Sequence, residues 1–220
     1  MVKRRIEKQF KRINTFFNKI KNIPYTVRRF YNIKKIKSRD FTIISNNCWA
    51  GRVYQYLDMP YLSPTVGLYF FSDDYLKFVS DLKHYISMDL EFISYAVSKY
   101  RDILKERHQE NVPIGRLGDV EIVFLHYKSK EEALEKWNRR KERINFNHLI
   151  FKISNMNLCT EEHLKKFDKL PYNKIIINNR KKTVYDSEVY YYSKENKKSG
   201  PLNVDTNPFP GNIKLYRILR

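Results

Sequence analysis

The segment that most constrains the fold of this chain is a short apolar run that ends in a polar turn ahead of a helix-like stretch. The run covers residues 41–44, the turn covers residues 45–47, and Cys48 follows directly. A buried strand that feeds a helix N-terminus is common in α/β proteins, where the free N–H groups and the helix dipole favour anions and thiolates. The segment therefore predicts an α/β fold with a candidate site at this turn.

The rest of the chain repeats this alternation of strand-like and helix-like segments. The strongest strand pattern covers residues 120–127, which are apolar on both faces toward their end, as expected for a central strand of a parallel sheet. After it, Ser129 and Glu132 have the spacing of a helix capping box. Strands that alternate with helices predict a layered α/β/α fold with a mainly parallel or mixed sheet. The other predicted strands are residues 66–71, 148–153, 174–177 and 214–218, and the other predicted helices are residues 75–86 and 160–167.

Length and cysteine content limit the classes of protein to which the chain can belong. With 220 residues, 42% of them hydrophobic, the chain is long enough for one domain with a sizeable core. No apolar run approaches the roughly 20 residues of a membrane span, and no apolar signal segment follows the basic N-terminus. Cys48 and Cys159 have neither metal-ligand nor disulfide spacing. We therefore expect a cytoplasmic protein with reduced thiols, and neither a metal nor a cofactor.

The positive charge is concentrated at the N-terminus. Residues 1–39 contain 14 Lys or Arg and one acid, Glu7, which is a net charge of +13 out of the chain's +19. We predict a basic amphipathic helical arm over residues 1–39 and a single α/β domain over residues 40–220. Such an arm can lie on an anionic membrane surface, and packing on the domain or on a partner protein would use the same pattern. We expect no nucleic-acid partner, because no recognised binding motif accompanies the charge. The apolar residues with helical periodicity are Val2, Ile6, Phe10, Ile13, Phe17 and Ile20.

Cys48 is a candidate nucleophile, since a helix N-terminus and the nearby Arg52 would lower the pKa of its thiol. His126 follows the predicted central strand and would be its base, with Asp119 orienting that base. The carboxyl ends of parallel strands share one crevice, which would bring these residues together. The alternative is that Cys48 is a core residue, as free cysteines commonly are.

The same turn also has the composition of a sugar-phosphate site. Asn46 and Asn47 can hydrogen-bond sugar hydroxyls, and Arg52 can pair with a phosphate. Trp49 can stack on a sugar or a base. On this hypothesis the turn binds a substrate, and Cys48 need not react.

A second basic cluster lies on the helix predicted after Ser129. Arg139 and Arg143 are four residues apart and would share a helix face, which suits a clamp for a diphosphate. A solvated basic face near the helix C-terminus explains the same residues without a ligand.

Three blocks of the sequence carry a resemblance to a known family. They read SNNCWAGRVYQYL, PYLSPTVGLYF and LGDVEIVFLHYKSKEEALEKWNRRKERIN, and the similarity extends over about residues 41–180. In these blocks the chain resembles the bacterial domain of unknown function 1919, in which two glycines commonly follow the tryptophan and Ala50 here replaces the first. Members are often labelled exopolysaccharide biosynthesis proteins. The resemblance implies an α/β fold and a surface-polysaccharide context, and it implies no catalytic residues.

Three hypotheses for function follow. The first is a transferase of exopolysaccharide or capsule synthesis that acts on a nucleotide sugar or a lipid-linked sugar at the cytoplasmic face of the membrane, in contact with other enzymes of that synthesis. The second is a cysteine-dependent acyltransferase or hydrolase that uses Cys48, His126 and Asp119. The third is a non-enzymatic scaffold that docks on the membrane. A shared pocket for the candidate residues would favour an enzyme over a scaffold.

Overall fold

A computed structural model describes residues 25–36, 38–180, 182–191, 201–203 and 205. These residues divide into two units, one before and one after residue 37. The predicted apolar periodicity over residues 2–20 and the predicted strand over residues 214–218 lie outside the described residues. The first described element is a helix, α1 (Tyr25–Lys35).

The second unit is a mixed α/β domain. Its elements in chain order are β1 (Thr42–Ser45), α2 (Trp49–Leu57), α3 (Ser72–Ser80), α4 (Leu82–Ser87), β2 (Glu91–Ile93), a short 3-10 helix (Tyr95–Val97), α5 (Arg101–Glu106), β3 (Ile114–Leu117), β4 (Val120–Val123), α6 (Lys130–Lys141), β5 (Leu149–Ser154), α7 (Glu161–Asp168), β6 (Lys174–Asn178) and β7 (Glu188–Tyr190).

Four parallel strands form the larger sheet, in the order β1–β5–β6–β7. All four residues of β1 are buried, and so are most residues of β5 and β6, which is why these strands read as apolar on both faces. The predictions of strands at residues 41–44, 148–153 and 174–177 are confirmed. The predicted α/β class with a mixed arrangement of strands is confirmed as well.

Residues 120–127 do not form a central strand of the parallel sheet, and that prediction is wrong. The strand β4 ends at Val123 and pairs antiparallel with β3 in a separate sheet of order β2–β3–β4. The cause is the two-residue turn between β3 and β4, in which Gly118 adopts a φ of 57° that few other residues tolerate. Helix α3 packs against β4, so all four residues of the strand are buried although the strand is not part of the parallel sheet.

Two other local predictions also change. The helix predicted over residues 75–86 is divided into α3 and α4 at Asp81, whose carboxylate accepts a hydrogen bond from the His84 N–H at 3.3 Å. Such a side-chain cap starts a new helix in place of the continuing one. The strand predicted over residues 66–71 makes only one β-bridge, between Tyr69 and Val123.

Helix α6 begins where the capping pattern predicts. The Ser129 hydroxyl accepts a hydrogen bond from the Glu132 N–H at 3.2 Å, and the Glu132 carboxylate accepts one from the Lys128 N–H at 2.8 Å. On its inner face Ala133 and Trp137 are fully buried in the main core. These contacts fix the rotation of α6, and therefore which of its basic residues face inward.

Candidate functional site

A pocket of about 330 Å³ lies between α2, the loop that follows α2, the turn after β4, and α6. Pockets that bind small molecules start at about this size. We call it the Arg140 pocket. Its lining residues are Cys48, Gly51, Arg52, Gln55, Tyr61, Val66, Gly67, His126, Tyr127, Lys136 and Arg140.

The most unusual member of the pocket is Arg140, a buried cation with neutral partners. Its guanidinium donates hydrogen bonds to the Val66 carbonyl at 3.1 Å and to the Tyr127 hydroxyl at 2.7 Å, and it lies over the Tyr61 ring at 4.9 Å. Among the residues that the structure describes, Arg140 forms no ion pair, although its exposed fraction is only 7%. Burying a charge is costly unless an opposite charge compensates it. The pocket therefore favours an anion.

The other charged groups of the pocket have the same sign. Arg52 is exposed and contacts Gln55 through a long hydrogen bond of 3.5 Å. Lys136 is paired with Glu132, one helical turn earlier. The lining residues include His126 but no carboxylate. His126 is exposed at the turn after β4, where its backbone N–H donates to the Gly67 carbonyl at 3.0 Å.

Two glycines let the pocket walls approach each other. A Cβ atom on Gly51 would lie 2.9 Å from Cγ1 of Val66, closer than real Cβ contacts allow. Gly67 has a φ of 82°, and a Cβ atom there would lie 3.0 Å from the Tyr127 ring. Helix α2 and the Tyr127 ring can therefore pack directly on the loop only because both positions lack a side chain.

Cys48 lines the pocket, but its thiol is not activated. The Sγ atom donates to the Leu68 carbonyl at 3.7 Å. Burial and, to a smaller extent, the Asp205 carboxylate raise the pKa of the Cys48 thiol to about 11, outweighing Lys152 and Arg52, which lower it. This direction is opposite to the lowering expected from a helix N-terminus. The thiol is therefore protonated at neutral pH, where a nucleophile would need to be a thiolate.

Asn46 and Asn47 lie outside the pocket, in a buried polar cluster at the carboxyl ends of β1 and β5. The Lys152 ammonium donates to the side-chain oxygens of Asn46 at 3.2 Å and Asn47 at 2.9 Å, and to the Ser154 hydroxyl at 3.2 Å. It is also paired with Asp205. We call these five residues the Lys152 cluster. Because both asparagines are buried and hydrogen-bonded there, they do not line the pocket as sugar-binding residues would.

Asp119 and Trp49 also lie away from the pocket lining. Asp119 is in the turn between β3 and β4, where it accepts hydrogen bonds from Lys77 at 2.6 Å and from Tyr85 at 2.8 Å. The Lys77 hydrogen bond lowers the pKa of the Asp119 carboxyl. Trp49 is fully buried at the start of α2. The structure thus places Cys48 and His126 in one pocket without the predicted orienting carboxylate.

The two arginines predicted as a clamp are exposed and do not line the pocket. Arg139 pairs with Glu135 at 3.2 Å, and Arg143 donates to the Tyr61 carbonyl at 3.3 Å. Arg140, between them in sequence, faces inward instead. Helical spacing alone shows which arginines share a face of α6, but it does not show which face is buried. The buried Trp137, three residues before Arg140, indicates the buried face.

The described residues contain no group of three or more His, Cys, Asp or Glu side chains that could hold a metal ion. Within the same part of the chain, no helix has the length and apolarity needed to cross a membrane. The pocket lining combines cations, aromatic rings and a histidine, which suits the binding of an anionic organic ligand.

Comparison with known proteins assigns the chain to a family. It matches the family described as "Domain of unknown function (DUF1919)" over residues 19–207 and belongs to that family. A protein of Haemophilus influenzae, described as "Uncharacterized protein", is 30% identical over 179 residues, which cover 79% of this chain and 81% of that protein. The family resemblance seen in the sequence is confirmed, and neither description names an activity.

Proposed function

We propose that the Arg140 pocket binds the phosphate or diphosphate group of an activated sugar, and that the protein is a transferase of bacterial surface-polysaccharide synthesis. The observation that carries the proposal is the buried Arg140, whose described partners are all neutral. A hydrogen bond to a charged group contributes about 1.5–3 kcal/mol, more than a neutral bond does. A phosphate in the pocket would therefore find a guanidinium that is already held in place.

The rest of the lining supports a sugar phosphate over a bare anion. Tyr61 and Tyr127 line the pocket with aromatic surface, and aromatic side chains commonly pack on sugars and bases. Arg52 adds a second positive charge to the pocket lining, whereas the charge of Lys136 is already paired with Glu132. The surface-polysaccharide context is supported by the labels often given to the family that the sequence resembles. The ligand would be a nucleotide sugar or a lipid-linked sugar, both of which carry phosphate beside a sugar.

The proposed reaction assigns a role to each side of the pocket. The bond between the sugar carbon and the leaving phosphate oxygen breaks, and a hydroxyl oxygen of the acceptor forms the new bond to that carbon. Arg140 and Arg52 stabilise the negative charge that develops on the leaving phosphate. His126, exposed beside the pocket, accepts the proton of the acceptor hydroxyl.

A location at the cytoplasmic face of the membrane is part of the proposal. On α1, Val27, Phe30 and Tyr31 are exposed apolar or aromatic side chains, and Lys34 and Lys35 lie in the last turn. This combination suits an anionic lipid interface, where each basic residue contributes about 1 kcal/mol. Other enzymes of polysaccharide synthesis would be encountered there.

Vesicle binding tests the membrane part. Full-length protein should cosediment with phosphatidylglycerol vesicles and not with phosphatidylcholine vesicles, and the variant F30S/Y31S should bind several-fold less. Val97→Ser is the matched control, because Val97 is also exposed but lies outside α1. Equal binding to both vesicle types, or no loss in F30S/Y31S, contradicts the proposal.

The cysteine-dependent alternative has one supporting observation, which is that Cys48 and His126 line the same pocket. The raised pKa of Cys48 and the position of Asp119 weigh against it. Activity that survives Cys48→Ser but not Arg140→Met would favour sugar transfer over cysteine chemistry.

Thermal melting with a ligand panel tests the proposed function. A nucleotide sugar or a polyprenyl-phosphate sugar should raise the melting temperature by several degrees, because a ligand that binds only the folded state stabilises it by mass action. The hit should also donate its sugar to a polysaccharide acceptor. No shift across the panel contradicts the sugar-phosphate proposal and favours the scaffold hypothesis.

A further inference from the structure

The Lys152 cluster is a second place where a positive charge is buried, and its member Asn47 directly precedes Cys48 of the pocket lining. Lys152 is on β5 and is fully buried. Its ammonium has polar neighbours at the ends of two parallel strands, Asn46 and Asn47 after β1 and Ser154 at the end of β5. None of these three neighbours carries a charge, so they leave the ammonium uncompensated.

The negative charge that compensates the Lys152 ammonium comes from a residue that is far from β5 in sequence. Asp205 pairs with Lys152, and each of its carboxylate oxygens accepts a hydrogen bond of 2.9 Å from the Asn47 amide. Asp205 is fully buried. Its contacts are those that a bound carboxylate would make with an ammonium and an amide donor.

Leu202 and Asp205 lie at the end of the sheet where ligands usually bind. The Leu202 N–H donates to the side-chain oxygen of Asn155, the residue that follows β5, at 3.2 Å. Asp205 lies beside Asn47, which follows β1. In open α/β sheets, ligands bind in the crevice outside the carboxyl ends of the strands. Here Leu202 and Asp205 occupy that position.

We propose that Lys152 and Asn47 form a binding site for a small oxyanion, and that the chain's own Asp205 fills this site until a phosphate or carboxylate group displaces it. An ammonium buried among neutral groups requires an anion, which an external phosphate supplies as well as an aspartate does. The proposed oxyanion site is separate from the Arg140 pocket and includes none of its arginines. Because Asn47 precedes Cys48, the second anion site would lie next to the first.

Calorimetric titration with inorganic phosphate at constant ionic strength tests the proposal on the full-length protein. Asp205→Asn keeps the size of the side chain and removes its charge. This variant should bind one more equivalent of phosphate than the wild type, and the double variant D205N/K152M should lose that equivalent again. Acetate in place of phosphate distinguishes a site for any small oxyanion from one for phosphate alone.

Two results would overturn the proposal. The first is a folded Asp205→Asn protein that binds neither phosphate nor acetate beyond the wild-type level, which would make Asp205 a structural ion-pair partner only. The second result concerns an Asp205→Asn protein that is unfolded in chloride buffer. The proposal expects phosphate to restore the circular dichroism signal of that protein. A chain that stays unfolded in phosphate contradicts an exchangeable anion. Arg140→Met added to Asp205→Asn should leave the extra equivalent in place, which separates this site from the pocket.

Discussion

Two buried cations, Lys152 and Arg140, lie close to the same turn, and they differ in their partners. Lys152 has a carboxylate partner, Asp205, and is fully buried. Arg140 is almost as buried, but its hydrogen bonds go to a carbonyl and a hydroxyl, and it borders an open pocket. The difference indicates which charge is balanced by a carboxylate of the chain and which borders a pocket without one.

The chemistry of the two side chains fits this division. Burial lowers the pKa of Lys152, and the charge of Asp205 opposes that shift, so the ammonium depends on its partner. A guanidinium does not lose its proton in proteins and is more weakly hydrated than an ammonium, so it tolerates a buried position at a pocket wall without a carboxylate. Arg140 is therefore suited to bind the phosphate group of a ligand. Lys152 is suited to bind an anion that is fixed or that exchanges slowly.

The largest expected effect comes from breaking the internal pair. Lys152→Met should lower the free energy of unfolding by about 3–5 kcal/mol, because it leaves Asp205 buried without a counter-charge. Urea denaturation measures the loss. Lys136→Met is the matched control, since Lys136 also has an acidic partner but is partly exposed, and about 0–1 kcal/mol is expected there. Equal losses in the two variants would contradict the claim that burial sets the cost.

A smaller effect is expected from the pocket wall. Gly67→Ala should cost about 1–3 kcal/mol, because alanine is strained at a φ of 82° and its Cβ atom meets the Tyr127 ring. Gly118→Ala is the control, since it shares the positive φ but faces the flexible Met88 side chain. Urea denaturation of both should show the larger loss at Gly67. The reverse order would mean that the Tyr127 ring yields easily and does not shape the pocket.

The smallest expected effect concerns the rate at which the Cys48 thiol is alkylated. With a pKa of about 11, compared with 9.0 for an ordinary thiol, alkylation by iodoacetamide should be slow at pH 8 and should rise toward pH 11. The native state holds this proton more tightly than the unfolded chain does. The contribution of the Cys48 thiol to the free energy of unfolding is therefore present below about pH 9 and is lost as the pH rises toward 11.

Mass spectrometry of alkylated peptides resolves Cys48 from Cys159. Rapid alkylation of Cys48 at pH 7 would contradict the protonated thiol and revive the nucleophile hypothesis.

The sequence was sufficient for the parts of the fold that depend on local patterns. Buried parallel strands are rich in apolar residues, so β1, β5 and β6 were predictable, as was the start of α6 at Ser129. The antiparallel sheet was not, because apolar residues on both faces of residues 120–123 indicate burial but not the direction of the neighbouring strand.

The site was predictable only in part. Cys48, Arg52 and His126 were identified from their positions after strand-like runs, and they line one pocket. Arg140 was missed because helical spacing does not reveal which side of α6 packs on the core. Asp205 was missed because its partner Lys152 is 53 residues away in sequence, and no local pattern connects them. A lysine within the apolar strand β5 was the one available signal of a buried charge.

The most direct test of the difference between the two cations compares two adjacent arginines. Inorganic pyrophosphate carries the diphosphate found in nucleotide sugars and in polyprenyl diphosphate sugars, and its affinity can be measured by calorimetry. Arg140→Met should weaken binding by about 10- to 100-fold, the loss expected for one charged hydrogen-bonding group. Arg139→Met should change it by less than about threefold, because Arg139 is exposed and paired with Glu135. Equal effects of the two substitutions, or no pyrophosphate binding by the wild type, would contradict the account.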